Sequence, residues 1–319
     1  MEVSLSLTTT RGYSESLLLQ KRVKLPLWNR CIVSISSTRA VVPPLFAQTG
    51  IPIGKPNNVK VLCSQIREIP VVEGRCIDEI PVVEGRCIDD IYDALAQRLL
   101  PTAAAIASNP KLKYIVGLAG PPGSGKSTLA NEVARRVNKL WPQKASSLDS
   151  QVKPPDVAMV LPMDGFHLHR SQLDKMENPK EAHARRGAPW TFDPARLLSC
   201  LQTLRKQGSV FVPSFDHGIG DPVEDDIFVG FQHKVIIVEG NYIFMEDGVW
   251  KDISSTFDEK WFIEVDIDTS MRRVLNRHIS TGKPPDVAKW RIDYNDRPNA
   301  EFIIKSKKNV DLVIKSLDF

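Results

Sequence analysis

Long apolar runs are missing from this chain of 319 residues. No stretch approaches the ~18 consecutive apolar residues of a membrane-spanning helix, so the expectation is a soluble protein with no membrane partner. Cysteine is scarce: Cys31, Cys63, Cys76, Cys87 and Cys200 make an odd five, and none forms a C-x-x-C pair. That excludes a disulfide framework and a zinc-thiolate site and implies a reducing compartment. Charge of one sign is scarce too. Lys+Arg 42 against Asp+Glu 38 leaves a net charge of +4, which points to no nucleic-acid partner. Apolar residues are not scarce; at 42% they suffice for a buried core.

Acids are nearly absent from residues 1–55, where only Glu2 and Glu15 occur. Arg11, Lys21, Arg22, Lys24, Arg30 and Arg39 stand there among Ser/Thr clusters. This is the composition of an organellar transit peptide, with the chloroplast as expected destination and mitochondrion or cytoplasm as alternatives. A secretory signal fits less well, because Leu17-Leu18-Leu19 is cut off by Gln20-Lys21-Arg22. A plain disordered tail is the other reading. Residues 68–78 and 79–89 are identical copies of Glu-Ile-Pro-Val-Val-Glu-Gly-Arg-Cys-Ile-Asp. Their internal Pro and Gly exclude a helical repeat, and two copies are too few for a solenoid. The expected layout is a linker over 56–87 and one folded domain over 88–319, opened by a helix with Ile88, Ile91, Tyr92, Leu95 and Leu99 on one face.

What is present is a glycine-rich turn, Gly120-Pro121-Pro122-Gly123-Ser124-Gly125-Lys126-Ser127, followed by Thr128. It fits the phosphate-binding pattern G-x-x-x-x-G-K-[ST], a match that chance supplies in roughly one chain in a hundred of this length. Each residue type has a task there. Glycines let backbone N–H groups wrap an anion, Lys126 reaches the β/γ-phosphates of ATP, and the Ser127 hydroxyl ligates Mg²⁺. The strand-like run 113–119 precedes the turn and a helix with Leu129, Val133 and Val137 on one face follows, so the helix N-terminus faces the anion.

Further apolar runs at 157–162, 235–238, 260–265 and 310–314 lack polar alternation, as strands buried on both faces do. Helical patterns separate them. One spans 194–206, with Asp193 as N-cap, Pro194 in the first turn and Gly208 as stop; another spans Thr269–Ser280, with Asp268 expected as cap and Gly282 as stop. The fold class is therefore α/β: a P-loop NTPase fold with a central five-stranded parallel sheet flanked by helices, and a lid helix.

Strand ends supply the chemistry. Asp164, in Met163-Asp164-Gly165-Phe166-His167, follows one strand and can accept a hydroxyl proton and hold metal; an Asp there also caps helices. Glu239 ends Val235-Ile-Ile-Val238 and suits a place near Mg²⁺. Arg273 and Arg277 share a helical face ahead of Gly282, as a basic flap over a transferring phosphoryl group requires; a solvated helix face is the plainer alternative. His167, Arg186, Phe192, Asp193, Phe215 and His217 mix aromatic and polar groups in the manner of a small-molecule pocket, although Asp193 is already accounted for as a cap.

This ordered set resembles the uridine kinase/pantothenate kinase/phosphoribulokinase family of P-loop kinases, closest to the branch named for uridine kinases and fructose-transport-system kinases. Arg186–Asp193, Val238–Tyr242 and Asn295-Asp-Arg-Pro-Asn299 look like that branch's stretches, and the likeness runs from about residue 90 to the end. It implies an ATP- and Mg²⁺-dependent kinase acting on a small-molecule hydroxyl, with Asp164 as base, Ser127 and Glu239 as metal ligands and Arg273/Arg277 as lid. His167 stands where uridine kinases usually carry Tyr, and the long loop Asp216–Glu224 is unlike their uracil-binding segment. The implied acceptor is thus a nucleoside, a sugar or a pantothenate-like alcohol. An ATP-hydrolysing switch without an acceptor is the competing class; a GTPase lacks its Asn-Lys-x-Asp signature here.

Overall fold

The apolar runs bury both faces because successive side chains of a strand point to opposite sides. In the computed structural model, which describes residues 80–145, 155–216 and 218–316, Ile236 and Val238 enter one core while Val235 and Ile237 enter the other. The first core packs the sheet against Leu197, Leu201 and Leu204; the second packs it against Ile91, Leu95 and Leu99, and against Leu129, Val133 and Val137. Each such fully buried side chain contributes roughly 1.5–3 kcal/mol.

In chain order the elements are β1 (Val82–Val83), α1 (Ile88–Ile106), β2 (Tyr114–Ala119), α2 (Lys126–Ala145), β3 (Ala158–Pro162), α3 (Arg170–Leu173), α4 (Pro179–Ala184), α5 (Pro194–Gln207), β4 (Val210–Asp216), β5 (Asp221–Val229), β6 (Val235–Gly240), α6 (Gly248–Ser254), β7 (Glu259–Glu264), α7 (Ile267–Ser280), α8 (Pro285–Arg291), α9 (Arg297–Ile304) and β8 (Leu312–Lys315). One sheet runs β1-β8-β7-β2-β6-β3 with every pairing parallel. The P-loop strand β2 lies between β6 and β7, so both sides of the phosphate turn are flanked by strand ends.

The five expected strands are all in this sheet, and a sixth joins them. Val82–Val83, inside the segment read as linker, pairs with Val313–Ile314 at the edge. Two residues are too short to show a period. The first tandem copy, 68–78, and the transit-like segment, 1–55, lie outside the described residues. The expected loop Asp216–Glu224 is the turn and start of an antiparallel hairpin, β4–β5, whose run of acids in β5 hides its strand character. The cap of α7 is Asp266, which accepts the Thr269 N–H at 2.9 Å; Asp268 pairs instead with Arg297 at 2.7 Å. An N-cap carboxylate needs an amide three residues on, and Thr269 supplies it for Asp266. The reading of α5 matches: Asp193 accepts the Arg196 N–H at 2.9 Å, and Gly208 ends the helix at φ +83°.

Arg136 on α2 fixes α1, pairing with Asp89 and Asp93 there and with Glu132 on its own helix. Among the described residues no helix is long and apolar enough to cross a membrane, and both described cysteines, Cys87 and Cys200, are free.

Candidate active site

The turn after β2 is closed by local bonds: Ser124 N–H to the Pro121 carbonyl at 3.1 Å, and Lys126 Nζ to the same carbonyl at 3.0 Å. Gly123 and Gly125 have φ of +79° and +89°, a region that L side chains rarely adopt. A Cβ on Gly123 would strike the Ser270 carbonyl at 2.6 Å, whereas one on Gly125 would meet nothing within 4 Å. The Gly125 side is thus the open mouth of the cradle. Ser124 Oγ is buried without a hydrogen-bond partner. An orphaned hydroxyl in a glycine-lined concavity at the start of a long helix fits a polyphosphate.

Glu239 ends β6 beside Leu118 of β2 and Pro162 of β3. Its Oε1 accepts the Ser127 hydroxyl at 3.0 Å. The turn Met163–Phe166 carries Asp164 to the same strand ends. Gly165 allows this, since a Cβ there would stand 2.0 Å from the Pro213 carbonyl of β4. Burial, then the negative Asp164, pushes Glu239 up to about 7, with Lys126 and the Ser127 hydroxyl acting the other way. Burial lowers Lys126 to about 8 against the pull of Glu239 and Asp164, and Arg277 adds to the lowering. A hydroxyl and two carboxylates are hard oxygen donors, the set that Mg²⁺ prefers when phosphates complete its shell.

The two arginines expected to form a lid diverge. Arg277 is near enough to repel the Lys126 ammonium. Arg273 donates to the Gly123 carbonyl at 3.3 Å and to Ser316 Oγ at 3.1 Å. Ser270, one turn earlier, donates to the Pro122 carbonyl. So α7 is tied to the phosphate turn at its start, and Gly282, at φ +90°, forms the bend before α8.

On the other flank, the His167 ring lies 3.9 Å from the Phe192 ring and 4.8 Å from that of Phe215. Its Nδ1 is 2.8 Å from the Asp164 carbonyl. Arg186 lies over Phe215 at 5.6 Å and bonds the Leu168 carbonyl at 3.0 Å and Asp221 at 3.1 Å; its Nε is buried without a partner.

The Phosphoribulokinase / Uridine kinase family model matches residues 115–318. The chain belongs to that family. A Schizosaccharomyces pombe protein named as a candidate uridine kinase, C227.14, is 37% identical over 209 residues, covering 64% of this chain and 84% of its own. The Escherichia coli protein YggC is 32% identical over 223 residues, covering 68% and 84%. Among solved structures, a candidate fructose transport system kinase from Silicibacter sp. TM1040 has 30% identity and a TM-score of 0.57, covering 69% of this chain and 98% of that one.

Within this kinase-family fold the expected residues divide. Gly120–Thr128, Glu239 and Asp164 gather at the ends of β2, β6 and β3, and Arg277 of α7 adds a smaller electrostatic influence on Lys126. His167, Phe192, Arg186 and Phe215 form one cluster beside Asp164. Phe192 packs inward against Tyr242 and Trp250, and Asp193 serves as the cap of α5, so both support the cluster from behind. His217 lies outside the described residues.

Sequence reasoning missed the residues that hold the cluster. Tyr242 OH donates to the Gly187 carbonyl at 2.5 Å. Asn295 Nδ2 donates to the Arg186 carbonyl at 3.1 Å, and Asn299 donates to Asn295 Oδ1 at 3.0 Å. Asn295 sits in a π-helical segment, Ile292–Asp296, whose Asp296 pairs with His278 of α7 at 2.8 Å. Single π turns often mark functional sites; this one touches both α7 and the segment around Arg186, which straps the cluster. The signal was at hand in Asn295-Asp-Arg-Pro-Asn299, but nothing local gave those amides a partner.

Proposed function

We propose that this protein is an ATP- and Mg²⁺-dependent kinase that phosphorylates a hydroxyl of a small molecule: a nucleoside, a sugar or a pantothenate-like alcohol. The observation that carries this reading is the convergence of Asp164 and Glu239 on Lys126 and Ser127 at the mouth of the phosphate turn. Ser127 and Glu239, with Asp164, would hold the metal. Bound Mg·ATP supplies the phosphoryl group and the charge that draws its oxygens into line. Asp164 takes the proton of the acceptor hydroxyl. Lys126 and Arg277 neutralise charge at the reacting end, and the lid keeps water from competing. The acceptor lies against His167, Arg186 and Phe215. Asp221 of the hairpin pairs with Arg186 and Arg170, and Glu224 with Arg196, which holds these side chains at the edge of the acceptor side.

The test is ADP release with Mg·ATP against nucleosides, sugars, pantothenate, glycerate and ribulose 5-phosphate, with Asp164→Asn as control. Acceptor-stimulated release that the variant loses supports the kinase. Slow release indifferent to every acceptor supports an ATP-hydrolysing switch.

Residues 1–55 we take as an organellar targeting segment, directed to the chloroplast. A reporter carrying them should enter plastids in leaf cells, and a uniformly cytosolic reporter would overturn this.

A further inference from the structure

The phosphate turn has two flanks. Glu239 and Asp164 stand on the β6–β3 side of β2, so the reacting end of a bound polyphosphate lies there. The rest of the donor must run the other way, toward β7 and β8. On that side is a cavity of about 370 Å³, within the ~300–1,000 Å³ typical of small-molecule pockets. Its floor is the phosphate turn itself, Gly123 to Gly125. Leu129, Ile263 and Ile314 give it apolar walls, and Arg273 stands at its edge, joined to Gly123 and Ser316. Pairing of β1 with β8 ends at Val83 and Ile314, so Lys315 and Ser316 extend past β1 and line the cavity, with the Ser316 hydroxyl held by Arg273. A flat heterocycle needs this combination of apolar faces and a polar edge.

The remaining wall is Ile88 and Tyr92, from the first turns of α1. These residues precede the family-matched region, which begins at residue 115. Their placement is fixed. Arg136 lies 5.1 Å from the Tyr92 ring centroid while pairing with Asp89 and Asp93 on either side of it. The Asp90 carboxylate accepts the Arg86 and Cys87 N–H groups at 3.1 and 3.3 Å, which sets where α1 starts.

We propose that Ile88 and Tyr92 form the nucleobase wall of the donor site, so that a helix upstream of the kinase-family region sets affinity for a purine nucleoside triphosphate. This deepens the kinase reading and rests on its placement of the polyphosphate. The test is calorimetric titration of the full chain with Mg·ATP and with Mg·tripolyphosphate, which has the phosphates and no base. The wild type should bind ATP more tightly than tripolyphosphate. Tyr92→Ala should weaken ATP about tenfold, the scale of a lost aromatic stacking partner together with its buried area, and leave tripolyphosphate unchanged. Ile88→Ser should act in the same direction, and Tyr92→Phe should retain ATP. Thermal melts establish that each variant is folded. Equal loss of both ligands, or unchanged ATP affinity in both Tyr92→Ala and Ile88→Ser, overturns the base wall while leaving the phosphate site standing. A wild type that binds neither ligand overturns the donor site and the base wall together.

Discussion

Ser127 Oγ donates to Glu239 Oε1 at 3.0 Å, joining the first turn of α2 to the end of β6 across 112 positions of chain. Both groups are hard oxygen donors, and the carboxylate is held close to neutrality by burial and by Asp164. A cation placed between them would reverse that balance, because it favours the charged carboxylate.

The pH dependence follows from Glu239. Its folded value, about 7, lies above the ordinary 4.5, so its contribution to stability is fully present below about pH 4.5 and is lost as pH rises through 7. Lys126, lowered to about 8, remains protonated over most of that window. Without nucleotide, Glu239→Gln should therefore be more stable than the wild type at pH 8, by the order of 1–3 kcal/mol, and the gap should close toward pH 5. Denaturant melts at the two pH values read this directly. Mg²⁺ binding in the presence of ATP should strengthen from pH 6 to 8 in the wild type and lose that slope in the variant.

Asp164→Asn removes the proton acceptor while keeping the shape of the turn. Turnover should fall by about 10²–10⁴ with ATP affinity retained. Lys126→Ala should abolish turnover and weaken ATP binding as well. Parallel kinetics and titrations separate the two; equal loss of ATP affinity in Asp164→Asn would argue against its role as base.

Gly165→Ala forces a Cβ to within 2.0 Å of the Pro213 carbonyl. Backbone cannot swing aside as a side-chain tip can, so the hairpin must shift. A loss of about 1–3 kcal/mol in stability is expected, with turnover reduced because Asp164 moves with the turn. Urea unfolding together with turnover rate provides the check.

Asn295→Ala leaves the Arg186 carbonyl without its amide donor and unties the strap from the π-helical segment. The KM for the acceptor should rise by about 3–10-fold, the scale of one lost hydrogen bond at a positioned segment, while ATP affinity stays as it was. Asn295→Asp should rescue poorly, since a carboxylate oxygen has no hydrogen to donate.

How much of this was legible depends on how far apart the partners lie in the chain. Gly120–Ser127 is contiguous, and its pattern names its own chemistry. Asp164 and Glu239 were readable because an acid at the end of a buried parallel strand must face the ligand crevice. The aromatic cluster was readable as composition, but not which members turn inward: Phe192 and Asp193 proved to be packing and cap. The sixth strand was invisible because Val82–Val83 has no period and gains its identity only from β8. The hairpin was hidden because Glu224, Asp225 and Asp226 read as a loop.

The sequence by itself determined the phosphate turn, the alternation of buried strands and helices, and the family, because these rest on local residue order and on the apolar period. Only the tertiary structure decided that the charge of Arg277 acts on Lys126 while Arg273 joins the phosphate turn to the end of β8, that Asn295 holds the Arg186 backbone, and that Ile88 and Tyr92 wall a cavity beside the phosphate turn. Those contacts bring together residues tens to more than a hundred positions apart. A side chain's partner across such a distance is set by how the sheet orders its strands, and no local pattern carries that order.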